Sequence, residues 1–405
     1  MLWRIFMDYD YQNIDVIDFI EKHINQLVKD YDYQNIDVID FIEKHINQLK
    51  PWFPSQTLIS IGEYPLQILL KGSFMDNIGD VLPLFISKSS KDIIKWGQSH
   101  IEPHNILGLD IKLDTHLWFQ VYSNIIKNDE FKRRLKTKPL DNVGQAIIVS
   151  SIGDGIGSAL LPIISSELRE IKINAVALAI LPSKVQPPDV HFNAFSSLGL
   201  CISTGLTPLL LIDRDNLENY VGINRKGTEI KGNALVNYLI ELLLTKGKFV
   251  GELSELSRSF DAKIFTVLLT TGASIRIYGS LENILNASLL RPLSTFNLST
   301  ASLLYVLLRI PSNLKIKLPR EQIEFSIANW VKDKASLKSI YFSEPIYTED
   351  ANDRIDIVMF IGGLDLTGNF SLMEKNIDTI KNDAINRGLM KEQEWKAIVN
   401  SLIGN

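Results

Sequence analysis

From Thr57 onward, short apolar runs alternate with stretches of helical periodicity: TLISI then PLQILLKG, DVLPLFI, QAIIVSS then SALLPIISSELREI, NAVALAIL, TPLLLID and GNALVNYLIELLLT. The runs lack the alternation of a half-exposed strand, so each predicts a strand covered on both faces. Strands of this kind separated by helices predict an α/β domain built on a parallel sheet. After Gly247 the runs AKIFTVLLTTG, ASLLYVLLRI, LKSIYFSEPI and RIDIVMFIGG are joined by fewer helices, chiefly PREQIEFSIANWVKDK. That spacing predicts a smaller mixed sheet carrying one or two helices. The closing stretch from Ser371 is polar and helical, with Gly388 as a break.

The N-terminus has a different pattern. DYDYQNIDVIDFIEKHINQL occupies 8–27 and recurs without change at 30–49. Ile17, Ile20, Ile24 and Leu27, then Ile39, Ile42, Ile46 and Leu49, recur at helical spacing and predict two amphipathic helices. Two copies are too few for a solenoid, so 1–50 reads as an extension beside the fold.

Composition narrows the class. The 405 residues exceed one ordinary core, and 45% hydrophobic with 22% charged is close to an average soluble domain. A net charge of −5 provides no field to gather nucleic acid or an anionic membrane. No apolar stretch approaches the roughly 18 residues of a spanning helix, and the start turns acidic too early for a signal peptide. The expected location is cytoplasmic, with no membrane insertion and no nucleic-acid partner. The lone Cys201, in the run LGLCIS, reads as a buried structural thiol. His100 and His104 flank Pro103, which denies them the helical spacing of a metal pair.

The strongest local signal for chemistry is a strand, a turn and a helix: AIIVSS, then Ile152-Gly153-Asp154-Gly155-Ile156-Gly157, then a helix from Ser158. Glycines at alternate positions let backbone approach an anion, and the helix N-terminus offers it N–H groups. A tight βα connection explains the same residues without a ligand. The spacing is neither G-x-G-x-x-G nor G-x-x-x-x-G-K-[ST], and the following strand ends in Leu181-Pro182-Ser183-Lys184 rather than an acid, so a dinucleotide enzyme is the weakest reading.

SIGDGIGSALLPIISSEL resembles the signature loop G-G-G-T-G-[ST]-G of the tubulin/FtsZ superfamily and the helix after it, with Ser151 and Ile152 for the first two glycines and Asp154 for threonine. The order that follows is also similar. HFNAFSSLGL resembles the family's P-Y-N-A segment, LLLIDRDNLENY its I-D-N-E-A-L strand end, and GNALVNYLIELLL its long central helix, where Asn233 takes the guanine-reading place. GKFVGELSEL resembles the loop G-x-x-N-x-D-x-x-[DE], with Glu252 and Glu255 for its acids. The first family loop corresponds to Gly62-Glu63-Tyr64-Pro65-Leu66-Gln67, and Arg214 stands at a guanine-reading asparagine position.

The resemblance, coarse over about 57–372, implies an archaeal or other prokaryotic tubulin-like protein that binds GTP or GDP with Mg²⁺ and assembles head to tail as a longitudinal homopolymer. It implies a nucleotide-binding domain at 51–230, a central helix at 231–246, a second, activation domain at 247–372 and a C-terminal helix and tail at 373–405. An adaptor could engage the repeat or the tail.

Nucleotide contacts would come from Gly62, Glu63, Tyr64, Gly153, Asp154, Gly155, Ile156, Gly157, Ser158, Asn193, Arg214 and Asn233. Asn193 would face the ribose or bond backbone, and Tyr64 would stack on a base or cap the core. Glu252 and Glu255, on one face of a helix's first turn, would polarise water for attack on the γ-phosphoryl of the next subunit. Acids in a first turn are also favoured by the helix dipole with no chemistry at all. Glu63 and Asp154 would repel a polyphosphate unless Mg²⁺ or a basic side chain intervened. A non-hydrolysing pseudo-GTPase scaffold is therefore the alternative.

Overall fold

The computed structural model describes residues 56–403, apart from 71–73, 78–80, 98–100, 102–104, 110–114, 138–142, 205–206, 295–296, 333 and 336. Both copies of the duplicated segment, His100 and His104 lie outside the described residues. Residues 54–405 form one compact unit.

The first half runs β1 (Gln56–Ile61), α1 (Glu63–Leu70), α2 (Phe74–Asn77), β2 (Val81–Ser87), α3 (Ser90–Gly97), β3 (Ile106–Gly108), α4 (Trp118–Ile125) and α5 (Asp129–Thr137). It continues with β4 (Gln145–Ser151), α6 (Gly155–Glu170), β5 (Asn174–Leu181), α7 (Pro188–Thr204), β6 (Leu209–Asp213), α8 (Arg214–Glu218), β7 (Val221–Ile223) and β8 (Glu229–Lys231). The second half runs α9 (Asn233–Leu244), α10 (Phe249–Ser259), β9 (Ile264–Ser274), α11 (Ile275–Tyr278), α12 (Leu281–Leu289) and β10 (Leu303–Pro311). Last come α13 (Arg320–Lys332), β11 (Ser339–Phe342), β12 (Ile346–Thr348), β13 (Arg354–Gly362), α14 (Thr367–Asn386) and α15 (Glu392–Ile403).

Eleven strands make one sheet in the order β11-β10-β13-β9-β6-β5-β4-β1-β2-β3, with β12 also on β10. Strands β1 to β6 are all parallel, as the unalternated apolar runs require. Successive residues of these strands feed opposite cores: Ile59, Ile148 and Ala177 pack with α4, α6 and α7, whereas Leu58, Ile147 and Val176 pack with α1, α9 and α10. β9 extends the sheet parallel to β6, and β13 then pairs antiparallel with both β9 and β10, giving the mixed part.

The chain reverses direction across the sheet between β1 and β4, and in open parallel sheets ligands bind beyond the carboxyl ends of strands at such a switch point. The opposite end of the same strands is covered by α10. Gly251 there backs onto the side chains of Gln145 and Asn174, the first residues of β4 and β5, and Gly247 faces Gln56, the first residue of β1. α14 and α15 pack on α7, where Trp395 stacks on Phe192 and Phe195 at 5.6 and 5.3 Å. Cys201, on α7, is buried, and burial pushes its thiol up to about 12. Among the described residues no helix is long and apolar enough to cross a membrane.

Candidate functional site

Two turns meet at the switch point. After β1, Gly62 takes φ +90°, a left-handed conformation that suits glycine, and leads into α1 at Glu63. After β4, Ile152 and Gly153 lead to Asp154, which caps α6 with extended backbone while its carboxylate accepts from the Gly157 N–H at 2.5 Å. The helix therefore begins at Gly155, three residues before the expected Ser158, because a side-chain cap at Asp154 closes the first turn. Ser158 spends its hydroxyl on the carbonyl oxygens of Ile152 and Asp154, each at 2.6 Å.

The glycines of this turn are demanded by protein as well as by any ligand. A β-carbon on Gly155 would run into the Thr115 carbonyl oxygen, and one on Gly157 into that of Ser151. Asn193, 1% exposed on α7, fastens the same region: its amide donates to the carbonyls of His116 and Gly153 at 2.8 and 3.1 Å, and its Oδ1 accepts from the Trp118 N–H at 2.9 Å. The His116 ring in turn pairs with Asp189 in the first turn of α7. His116 and Asp189 carried no motif in the sequence; their pairing arises only because the segment before α4 crosses the start of α7.

Asp154 holds its carboxylate between the two turns. A β-carbon built on Gly62 would stand 2.9 Å from its Oδ2. Burial pushes this carboxyl up to about 6, the N–H groups of Gly157 and Ile156 oppose the rise, and the charge of Glu63 adds to it. Glu63 itself is exposed, accepting from Gln67 Nε2 at 3.2 Å.

On the far side of α1's first turn, three residues from distant parts of the chain converge. The Tyr64 hydroxyl donates to Asn233 Oδ1 at 2.9 Å, and the Arg214 guanidinium lies 4.5 Å from the centre of the Tyr64 ring. Arg214 also pairs with Glu218 at 2.7 Å. Burial raises the Tyr64 phenol, with Arg214 opposing and Glu218 adding. An aromatic ring, an amide and a guanidinium, groups that can engage a purine base, meet here, with the amide oxygen bonded to the Tyr64 hydroxyl and the guanidinium set against the Tyr64 ring. The phosphate side does not fit as it stands, because Asp154 occupies the N–H groups an anion would take. Among the described residues, no group of three or more His, Cys, Asp or Glu side chains is placed to hold a metal.

Glu252 and Glu255 lie on α10, at the other end of the strands from this pocket. β4 has seven residues, so the separation within one chain is roughly 20 Å. Glu252 is fastened: Oε2 accepts from the Tyr305 hydroxyl at 2.8 Å, and Lys248 stands 3.8 Å from Oε1 while bonding Glu344. Glu255 is exposed. Tyr305, which lies in an apolar strand run, gave no sign of this contact. A second unforeseen cluster is ionic. Arg309 on β10 pairs with Asp356 on β13 at 2.5 Å, with side chains 4% and 2% exposed, and Tyr238 of α9 donates to the same carboxylate at 2.9 Å. Charged residues inside the runs LLYVLLRI and RIDIVMFI were the available signal.

No family model matches the chain, and no curated protein matches it in sequence. Solved structures do. CetZ from Methanosaeta thermophila strain DSM 6194 aligns over 85% of this chain and 96% of its own, at 14% identity and a TM-score of 0.64. CetZ2 from Haloferax volcanii, solved as a GTPγS-bound protofilament, aligns over 81% and 99%, at 16% identity and a TM-score of 0.62. An FtsZ of M. jannaschii aligns over 80% and 95%, at 12% identity and a TM-score of 0.59. With a six-stranded parallel half, a glycine turn at its switch point and a helix opening at Asn233, the chain has the fold of the tubulin/FtsZ superfamily.

Proposed function

We propose that the protein binds guanine nucleotide at the carboxyl ends of β1 and β4 and assembles head to tail with copies of itself. The observation that carries this reading is the placement of the pocket and of α10 at opposite ends of the same strands. Two such different surfaces can meet only between copies, and a heterologous contact that does not close yields a filament. Tyr64, Arg214 and Asn233 would receive the base. Gly153 to Ser158 would receive the phosphates once the Asp154 carboxylate yields the N–H groups it holds, and α10 of the next copy would cover them. The CetZ2 likeness, a nucleotide-bound protofilament, supports both halves of the reading.

A second reading, a scaffold that assembles without hydrolysis, is favoured by two contacts: Asp154 at the phosphate side and Tyr305 on Glu252. Nucleotide released by denaturing natively purified protein tests the first reading. Guanine nucleotide in near-stoichiometric amount is expected, and its absence, with no binding of added GTP at millimolar concentration, contradicts the pocket assignment. Phosphate release per molecule that climbs with protein concentration would separate a GTPase from a scaffold, since a scaffold assembles through the same two ends and releases none.

A further inference from the structure

The N–H groups of a long helix's first turn are where a phosphate oxygen would bind, and in this chain they are taken by a carboxylate of the same turn. Asp154 Oδ1 accepts from the Gly157 N–H, and the Ile156 N–H also bonds this carboxylate. Oδ2 fills the space beside Gly62, where the absence of a β-carbon admits it. The two turns that would flank a phosphate thus touch through one side chain. Glu63, exposed on the first of these turns, adds a second negative charge.

We infer that Asp154 is a built-in competitor for the phosphate seat and sets how tightly the pocket takes a polyphosphate. This rests on the nucleotide reading and adds its control: a phosphate gains the loop only by displacing a carboxylate that already satisfies the same donors. The residue type at 154 then grades affinity. Asn keeps the size and the cap but removes the charge. Ser keeps a capping oxygen, removes the charge and vacates the space beside Gly62. Affinity for a polyphosphate should rise from Asp through Asn to Ser.

Isothermal titration of the full chain and of Asp154→Asn and Asp154→Ser, with Mg-GTP and separately with inorganic pyrophosphate, tests this. Both variants retain a helix cap, and a cooperative melt of either one suffices for the comparison. Binding of GTP at least tenfold tighter in Asp154→Ser than in the wild type, with Asp154→Asn between them, is expected. Equal or weaker binding by the variants, alongside a wild type that binds GTP, overturns the inference and leaves the nucleotide reading intact. Pyrophosphate bound by Asp154→Ser but not by the wild type, with GTP bound by neither, keeps the inference and removes the guanine reading. No binding of either probe by any of the three overturns both.

Discussion

Tyr64 and Asn233, 169 positions apart, share a 2.9 Å hydrogen bond that ties the first turn of α1 to the first residue of α9. The bond is partly buried and its acceptor is the amide expected to read guanine. Tyr64→Phe should lower stability by about 1 kcal/mol, the usual net worth of such a bond. Asn233→Ala should weaken GTP about tenfold while leaving any ATP binding unchanged. Urea unfolding and titration calorimetry check the two effects separately. Equal loss of both nucleotides would assign Asn233 to the fold rather than to the base.

Arg309 and Asp356 make a second long-range tie, joining β10 and β13 beneath Tyr238 of α9. Asp356 also accepts from the Gly272 N–H at 2.6 Å. Asp356→Ala leaves the buried Arg309 guanidinium with only Glu241, at 3.1 Å, and strips the Tyr238 hydroxyl and the Gly272 N–H of their acceptor, and should cost about 3 kcal/mol. Replacing both partners, as Arg309→Met with Asp356→Leu, should cost less than the single change. A shift of the urea midpoint at constant slope is the measurement.

Gly155→Val, which sequence reasoning alone would choose to block phosphate binding, should act first on folding. Its β-carbon meets the Thr115 carbonyl oxygen whether or not a ligand is present. The melting temperature should fall by several degrees in nucleotide-free protein, and an unchanged melt would show that the 115–116 segment can move aside.

The parallel half was legible because its strands are apolar without alternation, and the central helix because GNALVNYLIELLL, apolar but for Asn237 and Glu241 after its first turn begins, resembles the family's helix. Asp154 was read as an acid near a phosphate, although an aspartate just ahead of a helix is also a cap; the capping role moved the helix start to Gly155. Glu252 was read as free to act because its partner, Tyr305, lies 53 residues away on a strand. Periodicity reports which face a residue shares, not which distant side chain meets it. Asn193 is the same case: its position was singled out, but its use depends on the turn at Gly153 and the segment His116 to Trp118 both converging on α7.

Asp154 also predicts a pH dependence. Its carboxyl titrates near 6 in the folded chain against an ordinary value of 3.8, so protonation favours the folded state. That contribution is complete below about pH 4 and is lost as pH rises through about 6. Asp154→Asn cannot lose it. The melting temperature of the variant minus that of the wild type should therefore grow between pH 4 and pH 7, and a constant difference would mean that Asp154 stays ionised throughout.

Head-to-tail contact between the pocket end and α10 is the centre of the account, and cross-linking measures it directly. Lys184, in the exposed loop after β5, marks the pocket end, and Glu255 marks the other. The native thiol of Cys201 is buried and held protonated, so introduced cysteines react alone. Protein carrying Lys184→Cys is mixed with protein carrying Glu255→Cys, with GTP, and treated with a short bis-maleimide. The account predicts a cross-linked dimer in the mixture and none in either variant alone. Dimers formed equally well by Lys184→Cys with itself, or no dimer in the mixture at concentrations where the protein sediments as polymer, would contradict it.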